Sequence, residues 1–296
     1  MGKDLAGLRP ASAQTTGILL LLAAILGFTM MDATAKYLTQ TYHPAQVVWA
    51  RFVGNLLIFA AIFRAAMVPL LRTRRPGLQF ARALMQLGSV GLFFSSLQVI
   101  GLAEATAIMD LNPVLITLGA ALFLGEKIGP RRLAGIAAAL VGALIIIRPG
   151  LGVFQPAALL PLAGAFTYAA GALLTRMART DSVATSVMWS AVVGSALTSL
   201  AVPFVWQPIA PSDLWAFALL GVFGTASQYL LVRAFATAEA GVLAPFGYTG
   251  LVWAGLWGWL LFGQLPDGWT VTGATLIVAA GLYVWSREAR AARKTP

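Results

Sequence analysis

Residues 17–38, GILLLLAAILGFTMMDATAKYL, decide how the rest of the chain is read. The first half is almost uniformly apolar, and about 20 such residues in an α-helix span the ~30 Å hydrocarbon core of a bilayer. The second half adds Asp32 and Lys36, four residues apart on one helical face, with the acid first, the favourable order for an ion pair. Ionisable groups inside a bilayer cost about 2.5–3.5 kcal/mol each on insertion scales, so both demand an account. Lys36 lies near the end of the run, where its stem can snorkel to water; Asp32 is deeper.

Working outward, the same composition continues throughout. Of 296 residues 59% are hydrophobic and 10% charged, and the mean hydropathy is +0.83, too apolar for a polar surface in water. Apolar windows predict ten membrane spans, at about 17–36, 46–68, 79–101, 104–124, 132–148, 157–175, 183–204, 213–235, 240–262 and 269–286. The first run is longer than the ~7–15 apolar residues of a cleavable signal peptide, which predicts an uncleaved first span. With no cysteine, disulfides, thiolate catalysis and cysteine metal sites are excluded, and the single His43 cannot build a histidine metal site. No glycine loop followed by Lys-Ser or Lys-Thr cradles a phosphate, so ATP drive is not supported. The expectation is no enzyme, no cofactor and no metal.

The net charge of +10 is explained by its distribution. With the N-terminus inside, all of the 20 Lys and Arg except Lys36, Arg51 and Arg148 fall on the cytoplasmic side, as membrane proteins require. This skew supports ten spans, both termini cytoplasmic, and a multi-pass protein of the bacterial inner membrane. It leaves no role for nucleic acid.

Internal repeats come next. Phe28-Thr29 returns as Phe166-Thr167, Gly125 as Gly263 and Gly135 as Gly273, while Ala103-Glu104-Ala105 returns as Ala238-Glu239-Ala240. Five spans per copy is odd, so the second copy enters the membrane from the opposite side. The predicted fold is therefore an all-α integral membrane protein of two inverted five-helix repeats around a central cavity. The boundaries are a tail over 1–16, a first repeat over 17–148, a linker over 149–156, a second repeat over 157–286 and a basic tail over 287–296. Inverted repeats characterise secondary transporters, whose substrate site lies at the midplane between the halves. Each half also holds a proline deep in its fourth helix, Pro113 and Pro245. Proline removes a helical hydrogen bond, so these helices are predicted to bend toward protein or a water-filled cavity.

The segments DATAKYL and VVWARFVGN, then NPVLITLGAALFLGEKIGPRRLAGIAAALVGALII, and later YTGLVWAGLWGWLLFGQLPDGWTVTGATLIVAAGLYV, resemble the EamA-type members of the drug/metabolite transporter superfamily. The resemblance covers nearly the whole chain. It implies two inverted five-helix repeats, a cavity opened alternately to either side, and small metabolites as substrates. Within the superfamily the chain is similar to YddG-type exporters of aromatic amino acids. Gln264 stands where the first repeat has Glu126, and Glu126 is expected to be an end cap or loop ion pair beside Lys127.

Polar and aromatic residues at membrane depth supply the candidate site. Asp32, Lys36 and Arg51 form a coupling or gating group, or a cluster pinning helix ends. Asp110, three residues before Pro113, suits a substrate ammonium or a coupling proton, or a local bond to the opened backbone. Gln86 and Gln228 need partners at this depth and would orient a polar group. Phe93, Tyr168, Tyr248 and Trp253 would stack on an aromatic body. The expected activity is export of amino acids, aromatic or otherwise apolar, and related metabolites by alternating access. Uptake or exchange of another metabolite, and a channel or structural subunit, are the alternatives. The expected partners are the small-molecule substrate and the lipid bilayer, with the protein a monomer, or alternatively a dimer.

Overall fold

The computed structural model describes residues 11–64, 67–125, 129–148, 156–177 and 181–292, and within them the chain is helical with no strand. The Glu126 and Lys127 loop, nearly all of the predicted linker and the outer parts of both tails lie outside the described residues. The helices are α1 (Ala11–Thr39), α2 (Pro44–Phe63), α3 (Met67–Leu70), α4 (Pro76–Ser96), α5 (Leu102–Met109), α6 (Asn112–Leu124), α7 (Pro130–Ile147), α8 (Leu159–Met177), α9 (Val183–Ala201), α10 (Leu214–Thr237), α11 (Ala240–Leu243), α12 (Thr249–Phe262) and α13 (Gly268–Ala292).

Seven helical stretches among the described residues are long and apolar enough to cross a membrane, taking α5 and α6 as one. The other predicted spans fall short for physical reasons. Gln79, Arg82 and Gln86 lower the hydropathy of α4, the apolar part of α7 is only Leu133–Ile147, and α12 is cut to 14 residues by the interruption before it. The second predicted span ran to residue 68, but α2 ends at Phe63, where Arg64 turns the chain with φ of 44°.

Two helices are broken. α5 gives way to α6 at Asp110 and Leu111, two residues before Pro113, because the proline ring cannot continue the preceding helical ladder. A 3-10 segment, Ala244–Tyr248, carries Pro245 between α11 and α12. The broken helices also end alike: Gly125 and Gly263 take left-handed φ of 71° and 64°, a conformation glycine adopts without the Cβ penalty.

The packing has a regular plan. α1 lies along α10 and α4 along α8; α2 packs on α9; α2 meets α10 and α4 meets α9; α5 meets α12; α7 lies along α13. Counted within each half, first helices pack on third helices and second on second. Second helices also pack on third, fourth on fourth and fifth on fifth, so each cross-half pairing has its exchange-related mate. Small residues make two of these seams. A Cβ on Gly142 would come 2.8 Å from the Gly273 carbonyl oxygen, and one on Gly54 would come 2.9 Å from the Gly221 Cα. In lipid such close approach is what holds helices together, since the solvent is as apolar as the side chains. Beside the second seam the Asn55 amide donates to the Arg51 and Gly221 carbonyls and the Thr225 hydroxyl at 3.1–3.3 Å.

Two large apolar cores result. One gathers Leu38, Val47, Phe94 and Leu220 from α1, α2, α4 and α10 with Leu97 just after α4, and the other gathers Ile108, Val114, Ile136, Ala165 and Ile277 from α5, α6, α7, α8 and α13. Met109 packs against both, at the lip of the first helix break.

Candidate functional site

Each end of the bundle is tied by side chains that reach across the halves. At one end Asp213, before α10, accepts from Tyr37 at 3.0 Å and Tyr42 at 2.7 Å, and the Ala210 amide donates to the Tyr42 hydroxyl at 3.0 Å. Gln46, in the first turn of α2, exchanges two 2.9 Å bonds with the Gln207 backbone. At the other end Asp181 accepts from Thr73 at 2.5 Å and from Gln79 at 2.8 Å, and Arg75 donates to the Met177 carbonyl at 3.1 Å. Arg82 donates to the Ser186 carbonyl and, at 2.8 Å, to Ser190. The hydrogen bonds from Gln79 and then Thr73 hold the Asp181 carboxyl below its usual range.

A pocket of about 520 Å³ opens at the Asp213 end between the α5, α7, α12 and α13 termini. Glu104, Gln264 and the Arg148–Asp267 ion pair, 2.5 Å long, border it. Partial burial opposes ionisation of Asp267, but bonds from Thr270 and Arg148 outweigh it and hold the carboxyl low.

Deeper in, two polar stations stand between the cores. In the first, Arg51 lies within electrostatic reach of Asp32 and over the Phe94 ring at 5.6 Å, and its Nε has no hydrogen-bond partner among the described residues. A guanidinium on an aromatic face keeps part of its stabilisation without water. In the second, at the α5–α6 break, Asp110 Oδ2 and Asn112 Oδ1 are buried acceptors without donors among the described residues, and α5 packs on α12, which follows Tyr248 directly. The Tyr248 hydroxyl rests on Gly281 of α13, where a Cβ would collide with it. Asp32, Arg51 and Asp110 are partly buried, and Tyr168 is 40% exposed. Each orphaned buried acceptor costs about 1–3 kcal/mol, a cost that a ligand bearing donors would remove. No three of His, Asp and Glu gather among the described residues.

The residues picked from the sequence therefore separate. Asp110 closes α5 and Tyr248 precedes α12, which packs on α5, while Asp32 and Arg51 stand on α1 and α2, which are also in contact. Lys36 pairs with neither: it is 2% exposed, donates to the Leu97 and Ile100 carbonyls at 3.0 and 2.8 Å, and lies 5.5 Å from the Phe262 ring centre. The expected snorkelling and the i,i+4 ion pair with Asp32 are both replaced by this contact. It forms because the unravelled end of α4 offers carbonyls nearer than water. Phe93 is packed in the first core against Phe94, and Phe94 is the ring that meets Arg51. Gln86 is half-buried on α4. Gln228 does not join the interior group; it lines a lateral groove with α2 and α9 residues. Trp253 stacks on Trp257 at 6.1 Å and 17°, and Trp257 donates to Thr29 of α1 at 3.3 Å. Phe94, Asn112 and Trp257 escaped the sequence reading. Asn112 sits directly before Pro113, a signal that was present.

The EamA-like transporter family matches the chain twice, over residues 15–148 and 155–286. A riboflavin transporter of Rhizobium johnstonii is 29% identical over 96% of this chain and 95% of its own length. The pseudopaline exporter CntI of Pseudomonas aeruginosa is 31% identical over 90% and 94%. An S-adenosylmethionine uptake transporter of Rickettsia bellii is 25% identical over 94% and 96%. One solved crystal structure shares the fold with a TM-score of 0.65 and 20% identity, covering 93% of this chain and 98% of that one. These relatives are membrane transporters of small molecules rather than enzymes. By two matched repeats that together span nearly its whole length, the chain belongs to the EamA-like transporter family.

Proposed function

We propose that the protein is a secondary transporter of the bacterial inner membrane that exports amino acids and related small metabolites by alternating access. In this reading it has ten spans in two inverted repeats around a central cavity, with both termini and the Asp181 end cytoplasmic. It works as a monomer. The exchange-related helix pairings and the skew of Lys and Arg support that arrangement.

One observation carries the substrate reading: the α5–α6 break holds Asp110 Oδ2 and Asn112 Oδ1, which accept no hydrogen bond among the described residues, where α5 packs on α12 of the other broken helix. Unpaired acceptors select a solute bearing N–H or ammonium donors, and Tyr168 and Trp253 offer an apolar or aromatic body a surface to pack on. Asp32 and Asp110 are the groups through which a proton would couple to transport.

A second reading is uptake of a planar heteroaromatic such as riboflavin, favoured by the nearly full-length likeness to the Rhizobium johnstonii transporter. Purified protein in liposomes, given labelled phenylalanine, tryptophan, riboflavin and S-adenosylmethionine, tests both. Saturable counterflow of the amino acids supports the first reading and of riboflavin the second. Absence of flux for the panel and for a wider metabolite set defeats both.

A further inference from the structure

A groove of about 810 Å³ runs along the side of the bundle between α2, α9 and α10, toward the Asp181 end. Ile58, Phe59, Val187, Met188 and Val222 make its walls. It belongs to neither polar station. Three observations define what fills it. First, its lining is mostly hydrocarbon and it faces sideways, so water finds few partners there and an acyl chain many. Second, two exposed arginines adjoin its lining residues in sequence or in space. Arg233 lies against the groove-lining Tyr229, donating to the phenol at 2.8 Å with its guanidinium 5.8 Å from the ring centre, and Arg64 follows the groove-lining Phe63. Arg64 holds φ of 44°, a backbone state that residues with a Cβ seldom adopt. Third, Gln228 lines the same groove and makes no hydrogen bond among the described residues.

We infer that this groove is a binding site for one anionic phospholipid. The phosphate sits between Arg64 and Arg233, an ester carbonyl accepts from the Gln228 amide, and an acyl chain lies along Phe59, Met188 and Val222. The lipid explains why α10 carries an amide on a lateral face and why α2 ends on a strained arginine. It bridges α2 with α10, a seam that joins the two halves.

The test compares dioleoyl-phosphatidylglycerol with dioleoyl-phosphatidylcholine, added to delipidated full-length protein in detergent, by thermal unfolding and native mass spectrometry. One phosphatidylglycerol is retained per chain and raises the melting temperature more than phosphatidylcholine does. Arg64→Ala with Arg233→Ala weakens the apparent phosphatidylglycerol affinity by about tenfold or more, on the basis of about 1 kcal/mol per basic group near an anionic surface. Arg64→Lys with Arg233→Lys keeps most of it, which separates loss of charge from misfolding. Ala184→Phe, which fills the groove and leaves both arginines, abolishes retention. Equal effects of the two lipids on the wild type, unchanged affinity in the double alanine variant, or full retention in Ala184→Phe would each overturn the assignment. Displacement of the lipid by a transported solute would also overturn it, making the groove a lateral portal for substrate.

Discussion

The Lys36 ammonium of α1 lies 2.8 Å from the Ile100 carbonyl oxygen, inside the protein, where it caps the frayed end of α4 together with the Leu97 carbonyl at 3.0 Å. A buried cation that satisfies two otherwise orphaned carbonyls is costly to remove. Lys36→Met keeps the stem volume but strips both acceptors of their donor, and we expect about 1–3 kcal/mol of lost stability in a denaturant or thermal titration. Because Lys36 is not paired with Asp32, Asp32→Asn and Lys36→Met should add within about 0.5 kcal/mol. A coupling energy well above that would restore the ion pair read from the sequence.

Asp181 makes stability depend on acid pH with a definite sign. Its folded carboxyl is held below the ordinary value of 3.8 by bonds from Gln79 and Thr73, so the stabilisation is fully present above that value. It is lost as pH falls through the lower, folded value. Asp181→Asn should flatten the acid limb of a melting-temperature profile while leaving the neutral region nearly unchanged. An acid limb of the same slope in both proteins would remove Asp181 from the account.

The α7–α13 seam depends on two glycines facing each other. Gly273→Val places branched carbons where the Gly142 carbonyl and Ile146 already lie. We expect several kcal/mol of destabilisation, read as loss of the monodisperse peak in size-exclusion chromatography after mild heating. Gly268→Ala, at a position with nothing within 4 Å, serves as the control that stays near wild type.

The Tyr42–Asp213 bond ties the start of α2 to the loop before α10, and Tyr37 reinforces it. If this tie keeps the Asp213 end shut, Tyr42→Phe shifts the equilibrium toward opening there by about 1 kcal/mol, roughly fivefold. The chain has no cysteine, so a single Gln86→Cys is a clean reporter. An impermeant thiol reagent applied at the Asp213 face should label it several times faster in the Tyr42→Phe background. Equal rates would mean that the contact is structural only.

At the interior station, Asp110→Asn replaces one of the two unpaired acceptors by a donor. It should depress flux by tenfold or more, with a smaller change in melting temperature than Lys36→Met produces. Flux unchanged within twofold would exclude Asp110 from the site.

Much of the architecture was legible because the bilayer imposes simple rules. Apolar windows of about 20 residues located the helices to within a few residues at most ends, and the offset that relates Gly125 to Gly263 found two helix ends with the same left-handed glycine. The extent of membrane crossing was less legible, since α4 spends its polar residues on α9 rather than on solvent, which lowers its hydropathy without taking it out of the bundle. The site was harder still. Periodicity put Gln228 with the other polar residues of membrane depth but cannot say which face of α10 turns outward.

By itself the sequence determined that the chain is helical and lives in lipid, and that it is built twice over, because length, hydropathy and repetition are properties of residues taken in order. Only the tertiary structure decided where each charge goes. In a medium without water a cation takes whichever carbonyl, ring or carboxylate lies within a few ångströms, and those neighbours come from elsewhere in the chain. Lys36 finds the end of α4, Arg51 finds the Phe94 ring, and Asp110 keeps a buried acceptor without a donor among the described residues.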